Sequence, residues 1–166
     1  MRTLAAVSVA LVAASCAGDG ERAAAEVARI VDGDTIVLAG GEHVRLVQID
    51  APEAAEGECY GDRATRVLER LLPPGSSVEL EADGRLDDAD RFGRLLRYVH
   101  VGETNVNLEL VARGAAGPYF FDGERGRYAD DLLDRARDAR SGRRGLWRAC
   151  PGATLDPGRA LETGGG

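Results

Sequence analysis

The chain has 166 residues, 44% of them hydrophobic, which suffices for one domain with its own core and short ends and leaves too little for two. Its 21 basic residues, all arginine, stand against 28 Asp plus Glu, so the formal charge is −7. That balance argues against tight, sequence-independent binding to long duplexes, which relies on a broad basic surface, but allows a local arginine cluster that holds one or two phosphates.

In chain order, Met1 and Arg2 precede an apolar run from Leu4 to Ala14, the layout of an export signal and too short to span a bilayer. Ala13, Ala14 and Ser15 directly before Cys16 resemble a bacterial lipoprotein signal. Residues 1–15 are then the leader, Cys16 the lipidated mature N-terminus and 16–24 a tether, with plain secretion and an unpaired Cys16 as the alternative. Both readings place the mature protein outside the cytoplasm, where disulfides persist. Cys59 and Cys150 become natural partners there, two buried thiols being the alternative.

From Val27 the residues become β-forming. Strands are expected over 27–31, 35–38 and 44–49, with reversals at Asp32-Gly33 and Gly40-Gly41, whose glycines accept positive φ at little cost. Ala64, Val67, Leu68, Leu71 and Leu72 form one stripe of an amphipathic helix over 62–72, stopped by Pro73-Pro74. Further strands are expected over 77–81 and 94–101, and helices over 105–113 and 126–141. The whole is a mainly β fold with α, a five-stranded OB-fold barrel with three helices in the order β-β-β-α-β-β-α-α, occupying 25–150. Residues 151–166, rich in Gly and Pro and without apolar periodicity, are expected to be a disordered tail.

The chemistry concentrates at predicted strand ends. Asp34 follows the first turn glycine, and Asp50 closes the third strand, fixed by the extended conformation that Pro52 imposes on Ala51. Arg45 supplies a guanidinium and Glu53, on the loop after Pro52, a carboxylate able to place or deprotonate water. Such a set can hold a hard cation and attack a phosphodiester. Zinc suits it poorly, because neither His43 nor His100 has a ligand spacing. The acidic run 83–90 lacks the glycine and glutamate of an EF-hand. Arg85, Arg91 and Arg97 are expected to be surface charges, and Asp87, Asp88 and Asp90 to crowd the approach to Arg94.

These residues, with Asp90-Arg91-Phe92-Gly93-Arg94 and Tyr60-Gly61, stand in the order and spacing of the staphylococcal nuclease (thermonuclease) family, which the chain resembles over roughly 25–150. The resemblance implies that Asp34 and Asp50 bind Ca²⁺ through carboxylate oxygens, with the backbone carbonyl of Ala51 as the third protein ligand. The family often has threonine there, so a side-chain contact to bound water would be lost. It further implies Glu53 as general base or water-positioning group, Arg45 and Arg94 as catalytic arginines, and Tyr119 near the substrate. The expected function is a monomeric, calcium-dependent endo/exonuclease that hydrolyses DNA and RNA to 3′-phosphate products, held at the membrane through Cys16. The competing expectation is a non-catalytic OB-fold module binding nucleic acid or a protein partner. Such a module would be expected to lose a ligand, an arginine or the glutamate, and all are present.

Overall fold

The structure is a computed structural model and describes residues 22–164; Cys16 and the leader lie outside the described residues. Strands β1 (Arg22–Ile30), β2 (Thr35–Leu38), β3 (His43–Leu46), β5 (Ser77–Glu81) and β6 (Leu95–Val101) form an antiparallel sheet that a parallel β3–β6 pairing closes into a five-stranded barrel. β7 (Thr104–Asn105) extends it beyond β6. β1 serves two neighbours. Its first half pairs with β5 and its second with β2, across an irregularity between Val27 and Arg29 that bends the strand around the closure. Among the described residues, no helix is long and apolar enough to cross a membrane.

The third predicted strand is broken. β3 ends at Leu46, Gln48 takes φ 64°, and Ile49–Asp50 forms β4, which pairs with β8 (Gly117–Pro118) outside the barrel sheet. Period-two patterning runs through this point without interruption, so sequence alone expected one strand over 44–49. The buried Gln48 side chain holds the break: its amide donates to the Glu124 carbonyl (2.9 Å) and its oxygen accepts from Gly126 N–H (2.7 Å).

Helix α1 (Gly61–Leu71) buries Ala64, Val67 and Leu68 against the barrel, as its stripe predicts. α2 (Val106–Ala112) is N-capped by Asn105, whose side chain accepts from Leu108 N–H. α3 (Ala129–Ser141) starts three residues later than expected; the preceding Gly126 and Arg127 N–H groups donate to the Gln48 and Asp83 side chains. A short fourth helix, α4 (Leu146–Ala149), follows. The core joins Val27, Ile36, Leu46, Leu68, Leu110 and Leu132, drawn from barrel and helices alike. Away from it, the fully buried Glu81 carboxylate receives His100 Nε2 (2.7 Å), the Tyr128 hydroxyl (3.0 Å) and Arg127, tying β5 and β6 to the segment before α3. A buried carboxylate so satisfied avoids the desolvation cost of a lone one.

Both ends of the domain differ from expectation. Residues 22–24, assigned to the tether, pair with β5 from Arg22↔Glu81 onward. Residues 151–164, expected to be disordered, lie on the domain: Phe120 N–H donates to the Pro157 carbonyl, Thr154 bridges Glu162, and Cys59 N–H donates to the Gly164 carbonyl. Glycine and proline deny this segment periodicity, but main-chain hydrogen bonds and the buried Leu161 hold it.

Cys59, before α1, is bonded to Cys150, after α4, with the Cα atoms 5.9 Å apart. The bridge closes a sequence separation of 91 residues. Such a closure stabilises by about 2–4 kcal/mol, chiefly by constraining the unfolded chain. Cys150→Ser is therefore expected to lower the denaturant midpoint by an amount corresponding to about 2–4 kcal/mol, with the barrel still folded. An unchanged midpoint under oxidising conditions would contradict the role given to the bridge.

Candidate active site

The Asp32–Thr35 turn is built by its own side chains. Asp32 Oδ1 accepts from Asp34 N–H at 3.0 Å, a local bond that aspartate offers readily and that reverses the chain. Gly33 has a spatial reason: a Cβ there would stand 2.6 Å from Ala51 Cβ and 3.0 Å from Ala64 Cβ. The absent side chain lets the turn sit directly against the Ala51 loop and α1, which brings Asp34 to Asp50.

Asp34 is 1% exposed. Its Oδ2 accepts from Ala51 N–H (2.8 Å) and from Arg45 Nη1 (2.7 Å), and its Oδ1 from the Thr35 hydroxyl (3.2 Å). Burial pushes its carboxyl up to about 7; Arg45 opposes the rise, and the carboxylates of Asp32 and Asp50 add to it. Arg45 reaches Asp34 because Thr35 and Arg45 are register partners in the β2–β3 pair. The same guanidinium donates through Nη1 to the Ile49 carbonyl (2.9 Å) and through Nη2 to Asp50 Oδ1 (2.8 Å). Burial opposes its charge, but Asp34, Asp50, Asp32 and Glu53 together hold it more firmly protonated than usual. Two carboxylates thus touch one cation and two more act on it through space, so acidic groups outnumber the guanidinium in the cluster.

Glu53 is half-buried at the start of a 3₁₀ turn over Ala54–Glu56. Its carboxyl is pushed above the usual range first by burial, then by Asp32 and Asp50, with Arg45 opposing. That environment makes it a stronger base than a solvated glutamate.

Arg94 stands across a cleft of about 390 Å³ whose walls include Arg45, Gln48, Asp90, Arg94, Tyr119 and Phe121. Asp90 holds its Nε at 2.7 Å, a contact that does not use the two terminal nitrogens. Burial alone would raise the Asp90 carboxyl, but hydrogen bonds from the Arg94 side chain and main chain outweigh it and hold it low. Asp34, Asp50 and Glu53 are not among the cleft walls; Arg45 belongs to both groups and joins them.

Asp34, Arg45, Asp50 and Ala51 thus meet by direct contact, Glu53 by its field on Arg45, and Arg94 and Tyr119 through the cleft. Arg97 is not the surface charge expected, whereas Arg91 is exposed as expected. Asp87 and Asp90 do line the cleft beside Arg94, but Asp90 pairs with Arg94 and Asp88 with Arg97, which is largely covered, so two of the three aspartates also anchor arginines. Arg91 lines the cleft, with its guanidinium 4.7 Å from the Phe92 ring centre. Tyr119, expected near the substrate, and Phe121 flank the cleft, while Phe120 between them is buried. Sequence reasoning missed Gln48, which carries no motif, and the N–H of Leu161, which donates to Asp50 Oδ2 at 2.8 Å from the segment expected to be disordered. Asp32 lay inside the recognised motif, and its role required only the observation that a third carboxylate would face the same guanidinium.

Among the described residues, no group of three or more His, Cys, Asp and Glu side chains forms a metal cage. The donors available are the carboxylates of Asp34 and Asp50 and main-chain oxygen. An oxygen-only set with acidic groups in excess fits a hard divalent cation that keeps several of its waters, and it does not fit zinc.

A family model described as "Staphylococcal nuclease homologue" matches residues 43–149. The chain is 38% identical over 135 residues to Protein ParB of Escherichia coli, covering 74% of this chain and 71% of that protein. It is 35% identical over 134 residues to Micrococcal nuclease of Shigella flexneri, covering 74% and 72%. Thermonuclease of Staphylococcus intermedius is 33% identical over 102 residues, covering 57% of this chain and 59% of that one. With the model spanning more than half of the chain and these relatives covered over most of their length, the chain belongs to the staphylococcal nuclease family and is a hydrolase of the nuclease class.

Proposed function

We propose that the protein is a calcium-dependent nuclease that hydrolyses phosphodiester bonds of DNA and RNA, unpaired strands preferred, leaving 3′-phosphate ends. The observation that carries this reading is a single guanidinium held between the buried Asp34 carboxylate and the partly exposed Asp50 carboxylate, lining a cleft that a second arginine also lines. Asp34, Asp50 and the Ala51 carbonyl would hold the Ca²⁺, which when bound supplies a Lewis acid beside the scissile phosphate. Glu53 orients a water for in-line attack on phosphorus and accepts its proton. Arg45 and Arg94 donate paired hydrogen bonds to the phosphate oxygens and stabilise the charge that grows there as the 5′-oxygen leaves.

Degradation of a single-stranded oligonucleotide is expected to require Ca²⁺ and to stop in excess chelator. Asp34→Asn and Asp50→Asn should lose cation affinity and activity together. Full activity in chelator would reject the metal reading, and unchanged calcium titrations in both variants would misplace the site.

Glu53→Gln and Arg94→Ala are expected to lower kcat by at least about a hundredfold while unfolding at nearly the wild-type midpoint, because both side chains are partly exposed. Arg45→Ala should lose turnover as well, and also about 3–5 kcal/mol of stability, because it strands the buried Asp34 carboxylate. Near-normal turnover in folded Glu53→Gln and Arg94→Ala would favour the non-catalytic binding module.

Export and lipid attachment at Cys16 complete the proposal, supported by Arg2, the apolar run and the small residues before the cysteine. Attachment there would hold a monomeric domain at the cell surface. Cys16→Ser is expected to move active protein out of the membrane fraction or stall its maturation. Wild-type protein found wholly soluble outside the cell, with its N-terminus beyond Cys16, would replace anchoring by simple secretion.

A further inference from the structure

Asp50 is held from two directions. Arg45 Nη2 takes Oδ1 at 2.8 Å, and the main-chain N–H of Leu161 takes Oδ2 at 2.8 Å from 111 residues away in sequence. The Asp50 side chain is 17% exposed, so an unheld oxygen would turn toward water. A carboxylate oxygen has two lone-pair sites, so one N–H bond fixes its direction and leaves the other site for a cation.

The segment carrying Leu161 is built to hold that N–H in place. Its start is tied by the Cys59–Cys150 bridge, and its end by the bond from Cys59 N–H to the Gly164 carbonyl at 3.0 Å. Between them the Pro157 carbonyl accepts from Phe120 N–H, and the Leu161 side chain is buried against Leu146 and Cys150. Gly117, the register partner of Asp50, belongs to the same device: a Cβ there would stand 3.1 Å from Leu161 Cδ1. The absent side chain at 117 is what lets Leu161 settle beside β4.

We propose that Leu161 is a positioning residue for the cation site, acting through the Asp50 carboxylate, and that the disulfide-tied segment 151–164 is a working part of that site. The proposal rests on the metal reading given above. Its chemistry is that of an outer-shell hydrogen bond, which orients a ligating carboxylate and whose loss weakens metal binding by roughly 10–100-fold.

The test is a calorimetric titration with Ca²⁺ alone, on the oxidised protein. Leu161→Pro removes the N–H and keeps an apolar side chain; a stop codon after Ala153 removes the whole donor segment while retaining the disulfide; Leu161→Met keeps both N–H and bulk. Leu161→Pro and the truncation are expected to bind Ca²⁺ roughly 10–100-fold more weakly than wild type, with cooperative unfolding preserved, and Leu161→Met is expected to restore wild-type affinity. Wild-type affinity in the truncated chain, or weakened binding in Leu161→Met as large as in Leu161→Pro, would overturn the positioning role and leave the metal reading standing. A wild-type protein that takes up no Ca²⁺ would overturn the metal reading and this proposal with it.

Discussion

The guanidinium of Arg45, buried between Asp34 at 2.7 Å and Asp50 at 2.8 Å, is the interaction on which the rest of the site depends. Burial works against the charge on Asp34 and Arg45 opposes that effect, while Asp34 and Asp50 in turn offset the cost of burying the guanidinium. The fold supplies the three partners by separate routes. Register in the β2–β3 pair brings Arg45 beside Thr35, the glycine turn sets Asp34 behind it, and the break at Gln48 swings Asp50 out of the barrel sheet to meet the free side of the guanidinium. Acidic groups outnumber the one cation in the cluster, and that excess is the physical basis for expecting a divalent ion.

The overall charge of −7 and a phosphate-binding role are compatible because the favourable field is local. Arg45, Arg91 and Arg94 meet at the cleft, where Asp90 fixes Arg94. Phe92 and Phe121 are 70% and 63% exposed at the same cleft, an unusual position for large apolar rings. Under the proposed function such rings suit unpaired bases, which offer a flat face that duplexes keep stacked. An acidic surface elsewhere would discourage long duplexes from lying across the protein, so the charge balance and the ring placement favour the same kind of substrate.

What was legible in the sequence was local, apart from the pairing of two cysteines 91 residues apart. The Asp32–Thr35 turn, the Asp50–Glu53 strand end, the α1 stripe and the Cys59–Cys150 partnership each follow from neighbouring residues or from the compartment in which the cysteines would persist. What was not legible depended on contacts distant in sequence. Gln48 breaks a strand because its side chain is satisfied by residues 124 and 126, and nothing near position 48 announces them. Arg97 looked like a surface charge until the fold covered it and gave it Asp88. Segment 151–164 has the composition of a free tail and is ordered by main-chain hydrogen bonds, which leave no mark on side-chain pattern. The residue that completes the hold on Asp50 is in that segment, so the sequence revealed the chemistry of the site before its full support.

Arg45→Lys separates charge from geometry at the centre of the account. Lysine keeps the positive charge but is a point donor that cannot bridge two carboxylates and still present a planar pair of N–H groups to phosphate. Measured on single-stranded DNA with saturating Ca²⁺, the folded Arg45→Lys variant is expected to lose at least about a hundredfold in kcat. Turnover equal to wild type would show that a positive charge suffices at this position, and would contradict the claim that the bridging guanidinium organises the site.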